Sequence, residues 1–292
     1  MAAVRPAEGL ERDAVRAEAR RGLLIGAPAI VTLLVLFVLP LVAVVVNSLG
    51  TRTRTGRTDL SALGFDAYRR LADPLVLEIV ARSFGYALLT TVICLVIGYP
   101  FAYHLATRST RLRAVLLVLV MLPFWSNFLV RTYAWRVLLG SDGPFVATLS
   151  ALGLPEARLL FTPFAIVLGL VYGFLPFMIL PLYAAIERID HSLIEAARDL
   201  HASGWRAFRE VTLPLSRSGI IAGSVLVFIP SFGAYVTPEL LGGSRTTMIG
   251  SYVVRQFLAA RDWPFGSALS VAILIVMLLA TTVYFRTGGR SL

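Results

Sequence analysis

The feature that most constrains this chain is a series of long apolar blocks separated by Arg-rich connections. Residues 23–46 run without a single Asp, Glu or Arg. A helix needs about 20 apolar residues to cross the hydrocarbon core of a bilayer. Six stretches meet or approach that length: 23–46, 83–105, 114–130, one within 159–186, one within 218–238, and 263–285. The first is too long for a signal-peptide core and lacks a small-residue cleavage site, so it reads as a retained span. The third is short, but Tyr133 and Trp135 are placed to sit at its interfacial end. The expected fold is all-α and polytopic, with six transmembrane helices. Composition agrees, because only 15% of residues are charged and 57% are hydrophobic, where a soluble domain carries about 25% charge. A disordered chain and a secreted disulfide scaffold are excluded, since the single Cys94 has no internal partner.

The net charge is +10 and every basic side chain that is not His is Arg; there is no Lys. A P-loop needs its Lys on the nucleotide phosphates, so the chain holds no ATPase site of that kind. The Arg residues flank apolar blocks instead of forming one patch, which indicates membrane-face anchoring and no nucleic-acid partner. An even number of spans puts both termini on one side. The short 107–113 loop carries Arg108, Arg111 and Arg113 and no acid, and the 187–217 loop carries Arg188, Arg198, Arg206, Arg209 and Arg217. The first loop on the other side has Arg52, Arg54, Arg57, Arg69 and Arg70, so the bias is modest. It favours cytoplasmic termini.

None of the apolar cores contains Asp or Glu, which opposes a self-powered ion-coupled carrier. The His residues and Cys94 show no metal-ligand spacing, and no nucleophile elbow or zinc-helix motif marks a membrane enzyme. The polar groups that fall within spans are Ser126, Asn127, Tyr172, Ser231 and Tyr235. They are candidates for a neutral, aromatic-sided pathway, the alternative being ordinary helix–helix hydrogen bonding. Pro40, Pro100, Pro123, Pro176, Pro181 and Pro230 also lie in the apolar stretches, where they predict kinks of the kind found in transporters.

The most informative segment is the 187–214 loop. Asp190 is a good N-cap, and Ser192 with Glu195 offers capping-box spacing two residues later. Leu193, Ala197 and Leu200 fall on one helix face, with Glu195 and Asp199 on another. Gly204 is suited to end the helix. A second amphipathic stretch sets Trp205, Phe208 and Val211 against Arg206, Arg209 and Glu210. Pro214 then opens the next span, in the first helical turn where Pro is tolerated. A helix lying on a membrane would favour basic residues on its polar face. Acids beside small Ala residues fit docking into a protein groove instead.

Glu195-Ala196-Ala197, followed by Asp199-Leu200 and then Leu213-Pro214, resembles the EAA loop of ATP-binding-cassette (ABC) importer permeases. His201 departs from the pattern, because the family usually has Gly there. The segments 123–136, 231–243 and 261–268 are similar, in the right order, to segments of the spermidine/putrescine-type permeases. The resemblance implies a type I, MetI-like permease with its importer core at about 79–285, inside a membrane domain of residues 23–286. It implies cytoplasmic tails at 1–22 and 287–292 and a place in the bacterial plasma (inner) membrane. It assigns ATPase coupling to Glu195, Ala196, Ala197, Asp199, Leu200, Gly204, Leu213 and Pro214. The implied partners are ABC ATPase subunits, a second related permease, a periplasmic or lipid-anchored binding protein, and membrane lipid. ATP and Mg would be held by the ATPase, leaving this chain no cofactor and no catalytic residue. The implied substrate is a polyamine, although the same permease type also imports opines, phosphonates and iron chelates.

Overall fold

The computed structural model describes residues 7–53, 58–153, 158–243 and 246–287; the outermost parts of both tails, with Arg54 and Arg57, lie outside the described residues. Helix α1 (Ala7–Leu49) carries the first apolar stretch. A small antiparallel hairpin follows, β1 (Thr51–Arg52) and β2 (Thr58–Asp59), with Thr51 opposite Asp59. Then come α2 (Asp66–Arg69), a 3-10 turn (Arg70–Ala72) and α3 (Pro74–Ala106). The α3 start is set by Asp73, whose carboxylate accepts the Leu75 N–H at 2.9 Å. Pro74 occupies the first turn, where a missing N–H costs nothing.

The stretch expected as one short span over 114–130 is instead broken. Helix α4 (Thr110–Met121) runs into a 3-10 turn (Leu122–Trp125), and α5 (Phe128–Leu138) leaves at 88°. The cause is local. Ser126 and Asn127 are extended, with ψ of 151° and 133°. The Asn127 side chain then caps α5 by accepting the Leu129 N–H at 2.8 Å.

Next follow α6 (Pro144–Ala151), α7 (Pro163–Glu187), α8 (His191–Asp199), α9 (Gly204–Ala207), a π turn (Phe208–Thr212), α10 (Leu213–Leu215) and α11 (Arg217–Phe232). Residues 204–215 form one rod that meets α11 at 65°. Helix α11 ends at Phe232, and the start of α13 (Ile249–Leu258) lies against the chain just beyond it. A side chain added at Gly250 would stand 2.3 Å from the Gly233 carbonyl oxygen, so only Gly permits this close approach. The Ile249 N–H donates to Ser83 Oγ at 2.7 Å, which fixes α13 to α3. Helix α12 (Val236–Leu241) lies between, and α14 (Trp263–Thr287) closes the described chain.

Among the described residues, Gly26–Leu49, α3 and α7 are each long and apolar enough to cross a membrane. The two bent pairs qualify when each is taken as one span, and α14 contributes a shorter apolar length, Trp263–Leu279. The core lies where α3, α7 and α11 meet, around Cys94, Ala102, Val171, Met178, Leu182 and Val227. In lipid such contacts rest on close packing rather than on expulsion of water. Gly219 and Gly223 supply it: an added Cβ would lie 2.7 Å from the Pro181 carbonyl oxygen at the first and 2.7 Å from the Met178 sulfur at the second. The Gly26–Leu49 part of the first helix, by contrast, keeps most of its apolar side chains outward, and α1 packs mainly against α14 and α2.

A second cluster joins Val76, Ile79, Phe232, Ile249, Phe265 and Leu269. Beside it Asp262 is buried, with 2% of its side chain exposed. Its carboxylate accepts from Arg70 Nη1 at 2.7 Å and from the Phe265 N–H at 3.2 Å, and Arg52 stands 3.8 Å away. Arg52 also donates to the Ala260 carbonyl at 2.6 Å, and the Arg70 guanidinium lies 3.9 Å above the Phe265 ring. One carboxylate thus ties the hairpin strand β1, the 3-10 turn before α3 and the first turn of α14 together.

Candidate functional site

The acid-bearing helix α8 begins at Asp190, whose side chain accepts the Ser192 N–H at 2.9 Å. The capping-box start at Ser192 is not used. Ile194 and Ala197 turn toward the bundle and are half-buried, whereas Glu195, Ala196 and Asp199 are exposed. Leu193 and Leu200 are exposed as well, Leu200 to 83%. The expected face of Leu193, Ala197 and Leu200 is therefore split, with Ala197 inward and the two Leu outward. Glu195 and Arg198 line a cavity of about 240 Å³ beneath α8, walled by Tyr103, Ile186, Ile189 and Thr212.

The end of α8 differs from the sequence expectation. Gly204 does not terminate it; Gly204 is the first residue of α9, behind the Ser203 cap, whose Oγ accepts the Arg206 N–H at 3.3 Å. The turn is made by His201, at φ +61°. The His201 N–H donates to the Arg198 carbonyl at 2.9 Å and the Ala202 N–H to the Ala197 carbonyl at 3.0 Å. That pair of bonds is the usual left-handed helix stop, normally built on Gly. The position where the family has Gly thus keeps the Gly conformation with a His side chain. A His201→Gly change should stabilise the chain by ~1 kcal/mol by removing left-handed strain and leave the loop shape intact. A rise in melting temperature is the expected result; a fall would show that the imidazole itself holds the turn.

Beyond the turn, the rod of residues 204–215 carries an aromatic seam. Trp205, 70% exposed, stacks on Phe208 at 5.3 Å. The Phe208 ring meets Tyr99 edge-on at 5.4 Å and Tyr103 at 6.2 Å, both on α3. Tyr99 Oη is 2.7 Å from Ser216 Oγ, and both side chains are buried. The π turn follows from Pro214. That residue has no N–H, and its ring crowds the carbonyl four residues earlier. The chain relaxes by widening the turn, so the Leu213 N–H reaches back to the Phe208 carbonyl. Pro214 therefore lies within the rod, and the following span starts after Ser216. Leu213 packs against the main core.

The polar residues singled out in the spans fall in three places. Ser126 and Asn127 form the α4–α5 bend, where Ser126 Oγ donates to the Pro123 carbonyl at 2.8 Å. Tyr172 stands on α7, edge-on to Trp135 at 5.4 Å. Ser231 and Tyr235 flank the end of α11; Ser231 is buried with no hydrogen-bond partner for its Oγ among the described residues, and Tyr235 is 39% exposed. Among the described residues no hydrogen bond joins these three places. Sequence reasoning passed over Tyr99, Ser216, Asp262 and Arg131. The Arg131 guanidinium has buried Nε and Nη1 atoms without acceptors among the described residues and lies 5.1 Å from the Phe124 ring.

Residues 95–288 match the family described as the binding-protein-dependent transport system inner membrane component. The chain belongs to this family. This permease is a multi-pass inner-membrane component of an ABC import system. It is 44% identical over 262 residues to the spermidine/putrescine transport system permease protein PotB of Escherichia coli strain K12, covering 89% of this chain and 95% of that one. PotB of Haemophilus influenzae is also 44% identical, over 76% of this chain and 78% of the relative. The inner membrane ABC transporter permease protein YdcU of Escherichia coli is 33% identical over 235 residues. The fold is that of a permease chain from a bacterial alginate ABC transporter solved with a periplasmic protein bound to an alginate pentasaccharide. That match has a TM-score of 0.73 at 17% identity over 94% of this chain and 95% of the other. A chain of the inward-facing MetNI methionine ABC transporter matches at a TM-score of 0.51 and 18% identity, over 75% of this chain and 96% of that one.

Proposed function

We propose that this permease forms half of the membrane pathway of a polyamine importer. The observation that carries the substrate class is its 44% identity to PotB over 95% of that protein, whose name specifies spermidine and putrescine. Selectivity would then reside mainly in a periplasmic or lipid-anchored binding protein, since the apolar stretches offer no acid to hold a dication.

We count six spans: Gly26–Leu49, α3, the α4–α5 pair, α7, α11, which the cytoplasmic rod leads into, and α14. Arg113 at the start of α4 pairs with Glu187 at the end of α7 at 2.5 Å. The Arg-rich 107–113 loop and α8 therefore share one side, which we assign to the cytoplasm together with both tails. The hairpin and the Asp262 cluster face the periplasm.

On the cytoplasmic side, α8 presents Glu195, Ala196, Asp199 and Leu200 to an ABC ATPase. Ala197 lets α8 sit close on its own bundle. Gly204, Leu213 and Pro214 belong to the rod that continues from it. ATP and Mg are held by the ATPase, because a chain without Lys has no P-loop. Nucleotide-driven closure shifts the population between inward-open and outward-open states through contacts that differ between them. A second related permease completes the pathway, which Ser126, Asn127, Tyr172, Ser231 and Tyr235 line with neutral groups. The test is purification of the tagged chain from its native membrane. An ATPase should accompany it, and the chain alone should hydrolyse no ATP above background. Robust hydrolysis by the isolated chain would overturn the reading.

A further inference from the structure

The docking helix α8 rests mainly on the segment that follows it in the chain. Helix α8 packs against α9 and the π turn. The rod of residues 204–215 spans roughly 18 Å at about 1.5 Å per residue and ends at a 65° bend on Ser216. That bend is pinned to α3 by the Tyr99–Ser216 hydrogen bond of 2.7 Å. Two rod side chains, Phe208 and Leu213, also pack against the main core, and of these Phe208 is the aromatic one, its ring meeting Tyr99 and Tyr103 edge-on. Tyr99 and Tyr103 are one turn apart and lie on the same face of α3. On its far side Phe208 carries Trp205, which is exposed and stacked at an interplanar angle of 25°. Phe208 also opens the π turn, and such turns are frequent at functional positions in helices.

We propose that Phe208 is the positioning residue that transmits ATPase closure from α8 to α3. The rod pivots at Ser216, and the Phe208 ring, seated across Tyr99 and Tyr103, converts that pivot into movement of the cytoplasmic end of α3. An edge-on aromatic contact is directional and worth more than its area alone, so α3 follows the ring in both directions. Phe208 lies behind the docking surface and takes no part in holding the ATPase. This inference rests on the proposed reading that α8 docks on an ATPase.

The experiment uses the full transporter complex with binding protein, reconstituted in vesicles, and reads the ratio of polyamine taken up to ATP hydrolysed. For Phe208→Ala the ATPase should co-purify at the normal ratio and hydrolysis should persist, while the uptake-to-hydrolysis ratio falls at least tenfold. Phe208→Tyr, which keeps the ring, should restore most of that ratio. Tyr99→Phe, which removes only the hydroxyl pinning Ser216, should lower the ratio less than Phe208→Ala. A normal ratio in Phe208→Ala would overturn the proposal. So would loss of the ATPase from that variant, because Phe208 would then belong to the docking surface. Should Phe208→Ala fail to assemble, Phe208→Leu and Tyr99→Phe decide, and normal ratios in both would overturn it. Failure of the wild-type chain to bring down any ATPase would instead defeat the docking reading itself.

Discussion

Placing Trp at Ala196 should abolish polyamine uptake and strip the ATPase from the purified complex, while the permease itself folds and inserts normally. Ala196 is exposed on α8 and outside every span, so added bulk there meets only the partner. Overpacking a fitted contact costs about 1–3 kcal/mol, and each 1.4 kcal/mol is about tenfold in affinity. Glu195→Arg adds a second penalty, because like charges set against each other across an interface cost several kcal/mol. The pair of variants should lower co-purification at least tenfold, and Ala196→Ser should be near normal. Ala197 is the wrong site for this test. It faces the bundle, so bulk there would unseat α8 from its own chain. Normal uptake and normal co-purification in both Ala196→Trp and Glu195→Arg would show that α8 is only a surface anchor.

The second large effect is expected at Asp262. Its buried carboxylate holds Arg70, approaches Arg52 and caps the first turn of α14. Asp262→Ala leaves two guanidinium groups facing each other with no anion between them. Removing one partner of a buried pair costs 3–5 kcal/mol where the survivor stays buried. Here the Arg side chains are about half exposed, 52% and 49%, and can regain water. We expect a loss of about 3 kcal/mol, near the low end of that range. The melting temperature in detergent should fall by roughly 5–10 °C. Asp262→Asn, which keeps the cap but not the charge, should lose about half as much. An unchanged melting temperature for Asp262→Ala would show that the cluster is ornamental to stability.

Much of this fold can be read from the chain because lipid forces the issue. Long uncharged runs have to become helices, so α3, α7 and α14 fall where the apolar blocks do. What the blocks do not reveal is where a helix breaks. The α4–α5 bend depends on Asn127 acting as a cap in the middle of an apolar run, and hydropathy does not register a cap. The close approach of Gly250 to the Gly233 carbonyl, just past the end of α11, joins residues that hydropathy does not connect. The helix α8 was legible down to its Asp190 cap, since capping is local. Its far end was misplaced, because Gly204 is the better stop by propensity while His201 takes the turn by position. The Phe208 seam was half visible as an apolar stripe. Its partners Tyr99, Tyr103 and Ser216 lie on other helices, and no local pattern connects them.

The account stands or falls on ATP-driven uptake. The measurement is accumulation of labelled putrescine and spermidine in proteoliposomes that contain this permease, its partner permease and their ATPase, with the binding protein added. We predict uptake that requires both ATP and the binding protein and that disappears when this chain is omitted. Equal polyamine accumulation without ATP, or undiminished accumulation without this chain, would contradict it.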